Sequence, residues 1–232
     1  GISLTGQMHG PIFLNSKQEI TYPCLIWSDT RAHEEVIYLE KIFTTDAILK
    51  ITGNPIQESF TLPKILWLKN KQPNLFSYVD KIMFPKDYFG FLLTGIIATD
   101  HSDASGSLLY NLSNHCWSGE IIDNCELKKS LFPDIIPSDA ILGKVSWNAA
   151  QQFGLPEGIP VIKGGGDLAT TALATGTGQK ESLSLCIGTA AQMLMSLDSI
   201  EEKLLGRLYL FSHCIPRSYF CLGTVPTGGS SM

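Results

Sequence analysis

The sequence predicts an α/β protein, and three features carry that expectation. Short apolar runs end in glycine or polar loops, as where Val161-Ile162-Lys163 meets Gly164-Gly165-Gly166. Other segments have helical spacing, such as Val36, Leu39, Ile42 and Phe43 at intervals of three and four. The two kinds alternate along the chain, with no internal repeat or low-complexity tract, in the order that packs helices against a sheet.

Taken in order, Gly1–Leu4 alternates its faces as a strand does. A polar loop, Thr5–Gly10, leads to a short strand at Ile12–Leu14 and a turn at Asn15-Ser16-Lys17. Leu25-Ile26-Trp27 reads as a buried strand, and from Thr30 the pattern turns helical. Pro63-Lys64 opens a second helix at a first-turn position, where proline's missing amide is harmless. It carries Ile65, Leu66 and Leu68 inward to about Lys71. Pro85-Lys86 opens a third, spanning Asp87 to Leu93 and stopped by Thr94-Gly95. Ala140–Phe153 holds a short strand and a helix. Pro160–Lys163 is a strand running into the three glycines, followed by a small-residue helix from Ala169 to about Thr175. Further strands are expected at Ser182–Ile187, Gly206–Phe211 and Ser218–Gly223.

Composition narrows the function. Of the 232 residues, 44% are hydrophobic and 17% charged, which suits a folded domain with a sizeable core. The net charge of −5 offers no basic surface for nucleic acid or anionic lipid. No apolar run approaches the roughly 20 residues needed to span a bilayer. Gly1-Ile2-Ser3-Leu4 lacks the charged and apolar regions of a signal peptide, so a cytoplasmic location is expected. The six cysteines, Cys24, Cys116, Cys125, Cys186, Cys214 and Cys221, show no CxxC pair or Cys/His cluster. They read as free thiols, with no metal site. Residue 1 is not Met, and Pro226–Met232 is loop-like, so the chain reads as part of a longer protein.

Several loops hold residues that a packed core does not require. Gln7-Met8-His9-Gly10 follows a strand, where α/β proteins build ligand sites. His9 could contact a ligand there or be satisfied by local backbone. Three glycines in a row demand positive φ or close backbone approach. Asp167 after them is open to two roles, helix N-cap or a carboxylate presented to a ligand. Gly188-Thr189 is either a phosphate-binding turn or an ordinary hairpin turn. His101-Ser102-Asp103-Ala104-Ser105-Gly106 reads by itself as a polar capping loop.

The succession of these loops resembles the FGGY carbohydrate kinases. It runs Gly6–Gly10, Leu25–Arg31, Ile51–Asn54, Phe60–Leu68, Pro85–Tyr88 and Ala98–Gly106, then Trp117-Ser118, Gly164–Asp167 and Ile187–Thr189. The likeness is nearest to the xylulokinase branch and spans nearly the whole chain in register. It implies a ribonuclease H-like, actin-like ATPase fold of two lobes, with the second lobe incomplete. Residues 1–180 would form the sugar-binding lobe without its first strands, and 181–232 the start of the ATP-binding lobe.

By the same resemblance, the activity is ATP-dependent phosphorylation of a xylulose-like ketose. Asp167 matches the general base. Gln7, Met8, His9, His101 and Asp103 match sugar-binding positions, while Gly166, Gly188 and Thr189 match positions that meet ATP. ATP with Mg2+ and the ketose are the implied ligands, and a homodimer is an open partner.

The departures are equally specific. Leu168 stands where the xylulokinase branch usually has Asn, and Thr189-Ala190-Ala191-Gln192 looks more like the sedoheptulokinase branch. His101 replaces a frequent aromatic, and Ala190-Ala191 replaces Ser-Gly. The amino-terminal Asp-Gly-Thr hairpin and the adenosine-binding part of the family are not in the sequence, so the 232 residues by themselves are expected to be inactive. A non-catalytic sugar-binding or regulatory relative is the alternative reading.

Overall fold

The computed structural model describes residues 1–177, 182–187 and 191–225. Its organising pair is two parallel strands, Ile2–Gly6 and Pro160–Gly166, with Ile2 opposite Val161 and Gly6 opposite Gly166. Ile141–Lys144 completes this sheet antiparallel to Pro160–Gly166. Helices Pro85–Thr94 and Trp147–Phe153 pack beside it, burying Leu4, Leu93, Val145, Ala149 and Val161. A second sheet orders Ile20–Tyr22, Ile12–Asn15 and Val79–Met83.

The carboxyl-terminal part forms a four-stranded antiparallel sheet from Leu183–Ile187, Ala191–Leu197, Tyr219–Val225 and Tyr209–Ser212, in that spatial order. This sheet shares a core with the helices before it. Leu194, Phe211, Phe220 and Leu222 pack with Phe13, Phe60, Ile65 and Leu68. Asn54 ties the two parts together, since its amide side chain donates to the Leu210 carbonyl and accepts from the Leu210 amide. The expected lobe boundary at 180–181 lies outside the described residues.

Most helices form where their spacing places them. His33–Ile42 buries Val36 and Leu39. Thr61–Lys71 starts two residues before Pro63, and Pro85–Thr94 ends on a left-handed Gly95. Thr45–Thr52 is a helix beyond those expected, and it carries clear signals at both ends. The Thr44 hydroxyl caps the Ala47 amide, and Gly53 closes it at φ 76°.

Three expectations need correction. Leu25-Ile26-Trp27 is not a strand: Ile26 is 42% and Trp27 56% exposed, and only Leu25 is buried. Periodicity over three residues cannot separate an extended loop from a strand. The strand from Pro160 continues through Gly164 and Gly165 to Gly166, and the next helix begins at Asp167 rather than Ala169. Strand pairing with Ile2–Gly6 overrides the glycines' low strand propensity. The polar stretch from His101 is a short helix, His101–Ser105, capped by the Asp100 carboxylate on the Ser102 amide.

Gly164 shows why a glycine is needed there. It sits at φ +70°, and a Cβ would lie 1.7 Å from the Leu4 carbonyl oxygen. No L side chain fits between these strands.

Candidate functional site

Because Ile2–Gly6 and Pro160–Gly166 are parallel and in register, the loops leaving both carboxyl ends emerge side by side. That places Gln7–Gly10 next to Asp167, although some 160 residues of sequence separate them. The contact is close. A Cβ on Gly166 would meet Met8 Cγ at 2.7 Å and an Asp103 oxygen at 3.2 Å. Glycine here lets the two segments touch.

Above this junction lies a cleft of about 600 Å3. Met8, His9, Asp167, Leu168 and Thr171 form its floor from the first part of the chain. Gln192, Tyr209, Phe211, Leu222 and Thr224 face them from the four-stranded sheet, and Trp27, Ser59 and Phe60 complete the wall. The site therefore joins the polar groups of His9, Asp167, Thr171, Gln192 and Thr224 to aromatic and apolar side chains, a combination that suits a polyhydroxylated ring with one apolar face.

Asp167 is the first residue of helix Asp167–Ala174, and the cap position belongs to Gly166. One carboxylate oxygen accepts from the Leu168 amide at 2.8 Å. Desolvation by the cleft raises its pKa above the ordinary aspartate value, and the Leu168 amide opposes that rise. The carboxylate thus keeps free acceptor capacity beside the cleft and holds a proton more readily than a fully solvated aspartate.

His9 is held firmly. Its φ is 71°, and its Nδ1 lies 2.6 Å from the Gly106 carbonyl oxygen. A carbonyl can only accept, so Nδ1 carries the proton and Nε2 presents a lone pair. Desolvation pushes the imidazole pKa down to about 4, the Gly106 bond opposing and the Lys64 charge adding to the fall. Thr61 Oγ1 and Lys64 Nζ both donate to the His9 carbonyl, at 3.1 and 3.4 Å. Phe60 meets the ring edge-on at a centroid distance of 4.8 Å. The loop is a preset acceptor and not a flexible arm.

The remaining expected residues fall elsewhere. Gln7 is partly buried and is not part of the cleft lining. Asp103 is wholly buried beneath Met8 in a network of five charged side chains. Lys86 Nζ reaches Asp87, Asp100 and Asp103 at 2.6, 2.7 and 3.0 Å, and Lys163 pairs with Asp87 and donates to the Ala98 carbonyl. Burial raises the Asp103 pKa to about 8 against the pull of Lys86, while Lys86 is held well above its usual value.

The network has two positive and three negative groups, so one carboxyl proton makes it neutral. The Asp87, Asp100 and Asp103 oxygens lie within 4.8 Å of one another, as metal ligands would. The two ammonium groups already fill that role, so the group does not fit magnesium.

His101 does not line the cleft. It bonds Tyr110 Oη through Nδ1 at 2.7 Å and faces a different cavity. The Gly166 amide donates to Ser102 Oγ at 2.9 Å, which removes it as a donor to phosphate. Gly188 and Thr189 lie outside the described residues.

Sequence reasoning named Met8, His9 and Asp167 but missed the aromatic wall. Trp27 carried a signal, as a large aromatic directly before the polar run Ser28-Asp29-Thr30. Tyr209 and Phe211 read only as strand residues, because alternation does not tell a core face from a ligand face.

A family profile described as "FGGY family of carbohydrate kinases, N-terminal domain" matches residues 1–174. The chain is 34% identical to the xylulose kinase of Lactococcus lactis subsp. lactis and 32% identical to that of Staphylococcus xylosus. Both matches cover all of this chain and 46% and 48% of those proteins. The crystal structure of xylulose kinase from Rhodospirillum rubrum superposes with a TM-score of 0.94 at 27% identity, over 100% of this chain and 47% of that one. Gluconate kinase from Lactobacillus acidophilus superposes at 0.88 with 27% identity, over 99% and 46%. The chain spans about half the length of the curated relatives it matches. Among the described residues no helix is long and apolar enough to cross a membrane.

Proposed function

The chain belongs to the FGGY family of carbohydrate kinases, with the actin-like ATPase fold of that family, and on that premise we propose that its cleft binds a ketose for phosphorylation by ATP. The convergence of Met8, His9 and Asp167 on one cleft carries the reading. A sugar hydroxyl is a weak nucleophile at neutral pH, because it holds its proton. Asp167 is the general base: its free oxygen accepts that proton as the bond to the transferred phosphoryl group forms.

His9 accepts a hydrogen bond from a second hydroxyl through Nε2, and the aromatic wall covers the apolar face of the sugar. These contacts fix which hydroxyl faces the base. ATP enters as the phosphoryl donor. Mg2+ bound with ATP would neutralise charge on the phosphates, and this chain's residues supply sugar orientation and proton removal.

Xylulose is the proposed ketose, in line with the relatives named above. Leu168 lines the cleft where the xylulokinase branch usually has Asn, and its likeness to the sedoheptulokinase branch makes a longer ketose such as sedoheptulose the second reading. Asp167→Asn is the test. In the complete protein it should leave calorimetric binding of D-xylulose nearly intact and lower ketose-dependent ATP consumption by about a hundredfold or more. Unchanged consumption would remove the base assignment. Tight sedoheptulose binding with none for xylulose would select the longer ketose.

A further inference from the structure

Away from the cleft, a second cavity of about 250 Å3 opens between helix His101–Ser105 and the turn that joins strands Tyr209–Ser212 and Tyr219–Val225. His101, His115, Ser138, His213, Arg217 and Ser218 contribute its polar lining, and no Asp or Glu among the described residues lines it. The decisive group is His213, which is 2% exposed.

His213 Nδ1 accepts from the Ile215 amide at 3.1 Å, so the proton of the neutral ring must sit on Nε2. That Nε2–H is buried and has no hydrogen-bond partner among the described residues. An orphaned buried donor is costly and calls for an acceptor, from water or from a ligand.

The turn adds a cation at the cavity mouth. Arg217 is exposed, sits at φ 58°, and has no carboxylate within ion-pair distance among the described residues. The turn around it is fixed: the His213 amide donates to the Ser218 carbonyl, and Ser218 Oγ donates to the Ile215 carbonyl.

Across the cavity, the ring of His101 is held by Tyr110 at 2.7 Å, and Tyr110 also reaches His115 Nδ1 at 3.3 Å. His115 is tied in turn to Tyr219 Oη at 3.0 Å. The imidazole nitrogens do not form a metal-ligand set, because the three aspartates of the charge network are the one such group among the described residues.

We propose that this cavity is a second ligand site, taking the phosphate group of a small phosphomonoester. The phosphate oxygens would accept from His213 Nε2–H and from the Arg217 guanidinium, whose planar donors match an oxyanion. The volume leaves room for a phosphate and a few further atoms, not for a nucleotide.

The test uses inorganic phosphate as probe on the 232-residue chain, read by calorimetry and by the imidazole nitrogen resonances of His213. The expected result is one saturable site, a shifted His213 Nε2 resonance, and affinity reduced about tenfold or more in Arg217→Gln. Arg217 is exposed, so this variant keeps the fold. His213→Gln provides the interior test, with near-native circular dichroism required before its binding is read.

Asp167→Asn separates this cavity from the cleft, and its phosphate affinity should match the unaltered chain. Three results would overturn the site: non-saturable binding, Arg217→Gln binding as the unaltered chain does, or affinity that follows Asp167 rather than Arg217.

Discussion

The Gly166 amide donates to Ser102 Oγ at 2.9 Å, and Ser102 Oγ donates in turn to the Asp100 carboxylate at 2.5 Å. This bond joins the residue before the proposed base to a buried ion network. It fixes the backbone from which Asp167 projects. Ser138 Oγ donates to the same Asp100 oxygen at 2.7 Å, so the carboxylate is held from two sides.

Ser102→Ala should therefore loosen the proposed base without touching it. The Gly166 amide would lose its acceptor inside the protein, at a cost of about 1–3 kcal/mol in urea unfolding. A stability equal to that of the unaltered chain would show that the bond contributes nothing.

The ion network makes an uneven prediction for its members. Because burial pushes the Asp103 pKa up to about 8, it is the carboxyl of the network that takes the neutralising proton most readily. Asp103→Asn keeps shape and charge there, and should change stability by less than about 1 kcal/mol. Lys86→Met leaves buried carboxylates without their cation and should cost about 3–5 kcal/mol. Equal losses for the two variants would refute the assignment of the proton to Asp103.

Acid should weaken the protein through His9. Its folded pKa of about 4 lies below the ordinary 6.5, so the unfolded chain binds the extra proton first. The contribution is fully present above pH 6.5 and is lost as pH falls from there toward 4. The full effect is on the order of a few kcal/mol. His9→Gln should flatten the stability profile between pH 7 and 4.5, and a profile as steep as before would assign the loss to other groups.

Gly164→Ala should prevent folding. The new methyl would collide with the Leu4 carbonyl at a backbone angle that alanine avoids. Soluble, cooperatively unfolding protein from this variant would mean that the two strands can part without loss of the fold.

Much of the molecule was legible in the residues. Pro85 and Gly95 bound a helix that forms where they place it, because proline and glycine act through local dihedral angles. The strand into Gly164-Gly165-Gly166 and the presence of Asp167 beside it were equally plain, and the ordered motifs led to the right family. Trp27 was misread, since burial of a three-residue segment depends on what packs against it.

Local chemistry thus determined the helix limits and the glycine junction, and the ordered motifs singled out Met8, His9 and Asp167 as site candidates. Whether Asp167 capped its helix could not be decided locally, because Gly166 and Asp167 were both placed to begin it. The tertiary structure gave the cap to Gly166 and set Asp167 in the cleft. It also buried Asp103 among two lysines and turned His101 toward another cavity. Those outcomes rest on contacts across up to about 160 residues of chain, and such contacts form only when the parallel strands bring distant loops together.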